Sequence, residues 1–229
     1  MKICTKVKAL AVVFVIFLLS TSVELTAHQT SDEVLHSLYR GNKKFIKNPR
    51  FASERKGLVK AQNPPCVVLS CSDSRVPPEL IFDKGLGELF VSRVAGNVAD
   101  DVVIDSIEYA VTHFDVSVIV VMGHTNCGAV IGAINHLKAN GGAIDPAGHG
   151  HLDAVLIPIE TAIVQAGINI YAPEALKHST RANIAYVANQ LLSQSQPISN
   201  AVATGQLKII GSEYNLKTGK VKQLFVKEK

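Results

Sequence analysis

The sequence predicts an α/β fold: a single domain with a central, mainly parallel β-sheet flanked by helices. Two continuous apolar runs, Cys66–Ser70 (CVVLS) and residues 116–122 (VSVIVVM), are rich in β-branched residues and lack the polar alternation of a half-exposed strand. Strands of that type are buried on both faces, as in parallel sheets. Helical patterns fill the gaps between the runs, and such alternation argues for a parallel sheet with crossover helices. At 229 residues and 47% hydrophobic content the chain can bury one ordinary core. No repeat, low-complexity block or long linker divides it.

Residues 1–27 stand apart. Lys2, Lys6 and Lys8 precede an apolar run over residues 9–19, followed by Ser20-Thr21-Ser22 and a small residue at Ala27. A basic start, a short apolar centre and a small-residue exit describe a secretory signal peptide. The run falls short of the roughly 20 apolar residues needed to span a bilayer. Cleavage after Ala27 leaves residues 28–229 as the domain, periplasmic or secreted, with no stable membrane anchor. It also removes three lysines and Glu24, taking the formal charge from +4 to +2. A nearly neutral chain gives no sign of a nucleic-acid groove or a polybasic membrane patch.

Along the domain, residues 31–46 place Val34, Leu35, Leu38, Phe45 and Ile46 at helical spacing, with Ser31 or Asp32 as N-cap. A loop is expected from Pro49 to Pro65. Strands are expected at Cys66–Ser70, 89–94 (LFVSRV), 116–122 and 207–210, and helices at Asp101–His113, 126–139, 152–166 and 173–192. A turn at Lys217-Thr218-Gly219 closes a terminal hairpin. Three cysteines remain after cleavage, Cys66, Cys71 and Cys127, so the exported chain is no disulfide scaffold. Cys66 reads as a small buried hydrophobe.

This map brings two distant segments together. Cys71 and Asp73, in Cys71-Ser72-Asp73-Ser74-Arg75, leave the carboxyl end of one strand; His124, in Gly123-His124-Thr125-Asn126-Cys127, leaves that of another. Cys127 starts the following helix, where the helix end favours thiolate. Carboxyl ends of strands are where open α/β sheets build sites. Two thiols, an imidazole and a carboxylate are a tetrahedral Zn²⁺ ligand set whose fourth position need not be permanently filled. The alternatives are a closed, structural zinc site using all four residues, or thiol redox chemistry, which the lack of a Cys-x-x-Cys pair disfavours.

The segments CSDSRVPPE (71–79), LFVSRVAGN (89–97), SIEYAV (106–111) and GHTNCGAV (123–130), with a weaker match at LYRGNKKF (38–45), resemble the β-class carbonic anhydrases. The resemblance spans nearly all of residues 31–226. It implies that Cys71, His124 and Cys127 hold one Zn²⁺ per subunit, and that zinc-bound hydroxide attacks CO₂ to give bicarbonate and a proton. Zinc lowers the pKa of bound water from about 15.7 to about 7 in the three-histidine type case of this activity; two thiolates make that water less acidic.

By the same resemblance, Asp73 pairs with Arg75 and accepts a hydrogen bond from the bound hydroxide, or in a closed state becomes the fourth ligand. Gln62, Phe90 and Tyr109 match substrate-pocket residues. In the family the Gln and one aromatic come from the neighbouring subunit, which implies a homodimer as minimal active unit, with a tetramer as an option. The bicarbonate-inhibited subtype carries Trp where this chain has Val68, although Arg93 and Tyr214 match that inhibitory site. His113, His136, His149 and His151 are proton-shuttle candidates by composition alone. Two further readings keep the site: action on CS₂ or COS, and a non-catalytic bicarbonate sensor, against which the intact Asp73 and Arg75 speak.

Overall fold

The structure is a computed structural model that describes residues 29–146, 148 and 150–229. The expected signal peptide and His149 lie outside the described residues. Met1–Phe45 and Ile46–Lys229 form separate units. The described part of the first is most of helix α1 (Ser31–Lys47), which begins with a reciprocal cap. Thr30 Oγ1 accepts from the Glu33 N–H at 3.3 Å, and Glu33 Oε2 accepts from the Thr30 N–H at 2.8 Å. The N-cap is therefore Thr30, not Ser31 or Asp32, because only Thr30 stands three residues before a glutamate that can reach back.

In the second unit, helix α2 (Pro49–Leu58) replaces most of the expected loop. Its proline misleads: Pro49 sits in the first turn, where its missing N–H costs nothing, and Asn48 Oδ1 caps the Arg50 N–H at 3.0 Å. Strand β1 (Cys66–Ser70), the short helix α3 (Pro78–Ile81), strand β2 (Phe90–Arg93) and helix α4 (Asp101–His113) follow. Then come strand β3 (Val118–His124) and helices α5 (Gly128–Ala139), α6 (Asp153–Gln165), α7 (Ala175–Gln194) and α8 (Gln196–Ala203). Strands β4 (Lys208–Tyr214) and β5 (Val221–Lys227) close the chain as an antiparallel hairpin.

The sheet order is β2-β1-β3-β4-β5, with every pair but the last parallel. Helix α8 was not expected from the sequence. Ser195 makes it, accepting from the Ile198 N–H at 3.2 Å while donating to Glu108 on α4 at 2.6 Å. On one face of the sheet Val67, Leu69, Ile119, Val121 and Ile209 pack against Ile107 of α4, Ile184 and Leu191 of α7 and Ile198 of α8. A second apolar cluster, between α5 and α6, reaches the site through Cys71, Val98 and Cys127. Among the described residues no helix is long and apolar enough to cross a membrane.

Candidate metal centre

Register carries the two ligand segments to one place. Ser70, the last residue of β1, stands beside Met122 of β3, so Cys71 and His124 leave neighbouring parallel strands near their carboxyl ends. Asn126, in the left-handed region at φ 56°, turns the chain from His124 into Cys127, the N-cap of α5. The two sulfurs and one imidazole nitrogen of Cys71, His124 and Cys127 lie within 4.8 Å of one another, and all three residues are buried.

The protonation pattern fits a cation. His124 Nδ1 lies 3.0 Å from the Thr125 carbonyl oxygen, to which it donates; this tautomer leaves the Nε2 lone pair free. That Nε2 is buried with no hydrogen-bond partner. Donation from the Cys127 thiol, with help from the Asp73 and Gly96 N–H groups, outweighs burial and draws the Cys71 thiol well down. The Cys127 thiol is correspondingly pushed up. Two sulfurs sharing one proton beside an unpartnered imidazole nitrogen are a donor set that Zn²⁺ satisfies.

Asp73 lies at the rim. Arg75 grips its carboxylate with Nε at 2.9 Å and Nη2 at 2.7 Å, and the Arg75 backbone N–H adds a third bond at 2.9 Å. These bonds hold Asp73 well below the usual carboxylate range. Its Oδ2 is 3.9 Å from His124 Nε2. Arg93 braces the same loop, donating to the carbonyls of Cys71 at 3.1 Å and Asp73 at 2.6 Å. Val68 is 0% exposed, packed with Val76 and Met122, and Tyr214 lies against that small cluster. The Arg93 guanidinium is thus committed to backbone carbonyls.

A model of the carbonic anhydrase family matches residues 66–221, which include every residue of this centre. The chain belongs to the β-class carbonic anhydrases. It is 36% identical over 192 residues to carbonic anhydrase 2 of Mycobacterium tuberculosis, covering 80% of this chain and 88% of that one. The carbonic anhydrase of Mycolicibacterium smegmatis is also 36% identical, over 195 residues, covering 81% and 89%. Among solved structures, the β-carbonic anhydrase CafA of Aspergillus fumigatus superposes with a TM-score of 0.69 at 27% identity, covering 84% of this chain and 91% of that one. A tetrameric β-carbonic anhydrase of Sordaria macrospora gives 0.65 at 27%, covering 83% and 94%.

The expected substrate residues of this carbonic anhydrase are together, but apart from the metal ligands. Gln62 and Tyr109 line an open cavity of about 570 Å³ with Leu58, Val59, Lys60, Ala61 and Phe114. Phe90 packs on Phe114 with ring centroids 6.2 Å apart, at the amino end of β2, whereas Arg93 at its carboxyl end braces the metal loop. Of the candidate histidines, His113 stacks on Tyr109 at 4.2 Å. His136 is hydrogen-bonded to the buried Glu160 at 2.8 Å, and His151 is exposed in a short turn. Cys66 is a free, partly buried thiol that burial raises to about 11, as a packing residue would be. Sequence reasoning missed Gly96, whose N–H bonds Cys71 Sγ at 3.3 Å, since nothing in a single glycine announces such a contact.

Proposed function

We infer that this carbonic anhydrase interconverts CO₂ and water with bicarbonate and a proton, using zinc held by Cys71, His124 and Cys127. The observation that carries it is that the Cys71 and Cys127 sulfurs and a nitrogen of His124 lie buried within 4.8 Å of one another, with His124 Nε2 unpartnered and the Asp73 carboxylate 3.9 Å from it. Bound Zn²⁺ supplies a Lewis acid that makes a nucleophile of water near neutral pH. The Thr125 carbonyl fixes the histidine tautomer, and Arg75 keeps the Asp73 carboxylate turned as a hydrogen-bond acceptor beside the trio. Three bonds from Arg75 also oppose the swing that would make Asp73 a fourth ligand. The relatives' names speak for CO₂ rather than CS₂ or COS.

Stopped-flow CO₂ hydration by the zinc-loaded protein, with Cys71→Ser as blank, tests this reading. Turnover is expected already near pH 7; activity confined to above about pH 8 would mean that Asp73 closes the site, and no turnover above the blank at any pH would sink the reading.

The site is completed, in our reading, by a second copy of the chain. Gln62 and Tyr109 line a cavity that holds none of the metal ligands, Phe90 packs behind it on Phe114, and Tyr109 is 49% exposed. Helix α1 leaves Leu35, Leu38, Tyr39 and Ile46 exposed, an apolar stripe such as oligomers cover. The tetrameric Sordaria protein supports the same view. Mixing refolded His124→Ala and Gln62→Ala chains, each poorly active alone, should restore activity, because half the mixed dimer's sites keep both residues; a mixture no better than its parents would refute it.

The basic start and short apolar centre of residues 1–27 support export, with the enzyme working in a periplasm or outside the cell. Mass spectrometry of the protein from expressing cells should find a chain beginning near His28; an intact Met1 would refute this.

A further inference from the structure

The Cys71 sulfur is held from a direction that neither metal segment supplies. Gly96, in the turn after β2, donates its N–H to Sγ at 3.3 Å. It does so from the left-handed region, φ 65° and ψ 13°, and Asn97 after it is also left-handed at φ 48°. Glycine takes that region freely, and here its surroundings leave room for no side chain. A Cβ on Gly96 would stand 2.6 Å from Ile159 of α6 and 3.1 Å from Ala129 of α5, so two helices close on the bare Cα. From a third side, Asn183 Nδ2 on α7 donates to the Gly96 carbonyl at 2.7 Å.

Asn183 is 1% exposed, on the buried face of α7 where Ser179 and Thr180 give way to Ile184, Val187 and Leu191. Its Oδ1 finds no protein partner among the described residues. An apolar residue of similar size would avoid that buried acceptor, so the single bond to Gly96 is what the amide contributes there.

We infer that Asn183 is a positioning residue for the zinc ligand Cys71. By holding the Gly96 carbonyl it fixes the left-handed turn and aims the Gly96 N–H at the thiolate. It touches neither metal nor substrate. An N–H···S bond withdraws charge from a thiolate, so the sulfur donates less to the metal, and partners of this outer kind commonly change metal affinity 10- to 100-fold. The inference rests on the zinc-site reading above and adds a residue from a helix that carries no ligand.

The test is optical. The cobalt-loaded full chain should show thiolate-to-cobalt charge-transfer bands in the near ultraviolet. In Asn183→Leu these bands should move to longer wavelength, because a less hydrogen-bonded sulfur is easier to oxidise. Zinc affinity, measured against a chromophoric chelator, should fall about tenfold, because losing the fixed position of the sulfur outweighs its stronger donation. Asn183→Ser, too short to reach the carbonyl, should do the same and serves if the leucine variant does not fold. Val187→Ala loosens the same helix without touching Gly96 and should lower the melting temperature while leaving the bands in place. Bands and affinity unchanged in a folded Asn183 variant, or shifted equally by Val187→Ala, would overturn the inference. Wild-type protein without such bands would overturn the zinc-site reading and the inference with it.

Discussion

His124→Ala is expected to lose zinc and CO₂ hydration together while keeping its fold. A tetrahedral structural zinc is worth about 10–16 kcal/mol across its ligands, so one ligand accounts for about 3 kcal/mol. That is roughly a hundredfold in affinity, enough to empty the site on dialysis. The fold should survive because the Met122–His124 end of β3 is held by backbone pairing to Ser212–Tyr214 of β4, which the substitution leaves alone. Atomic absorption should find less than stoichiometric zinc, turnover should fall to the Cys71→Ser blank, and circular dichroism should match wild type. Retention of both zinc and turnover would mean that the buried imidazole is a packing residue and the metal lies elsewhere.

Arg75→Gln should lower kcat/KM by about a hundredfold, the lower end of what a positioned acid–base group contributes. The loss is one of orientation rather than of charge. Freed from Arg75, Asp73 returns toward the ordinary carboxylate pKa of about 3.9 and stays ionised at neutral pH, but its carboxylate is no longer held off the trio. Because Asp73 acts through Arg75, the double variant with Asp73→Asn should be little worse than either single one; losses that multiply would show that the residues act separately. The sign of the pH dependence follows from the same pair. A carboxylate with a depressed folded pKa contributes its full stabilisation above its unfolded value, and loses it only as pH falls through the lower folded one. Any fall of wild-type activity between pH 8 and 5 therefore does not come from protonation of Asp73.

Both experiments concern residues that the sequence already exposes. Cys71, Asp73, Arg75, His124 and Cys127 were legible because each segment follows an apolar run and the topology of a parallel sheet sends such ends to one edge. The bounds of β1 and α4 were legible too, whereas β3 runs two residues and β4 four beyond the expected ends, because the pairing of the two strands carries both on to His124 and Tyr214. Helix α2 was hidden by Pro49, which serves its first turn, and α8 by its brevity, since its formation depends on Ser195 being tied to Glu108 on a distant helix. The Gly96–Asn183 contact joins residues 87 apart, and neither type carries a signal alone. Gln62, Phe90 and Tyr109 entered only through resemblance; one subunit gathers Gln62 and Tyr109 at a cavity of their own, with Phe90 packed on Phe114 of its wall.

The register of β1 against β3 also governs how the metal gets in. The Cys66↔Val118 to Ser70↔Met122 pairing brings two ligand segments together by main-chain bonds before any cation arrives. The entropy of closing the intervening loop is thus spent on making the sheet and need not be recovered from coordination. A small zinc-dependent domain unfolds when stripped by a chelator because ligation is its folding energy. Here strand pairing does that work, so a chelator is expected to strip the cation without loss of the far-ultraviolet circular dichroism of the chain.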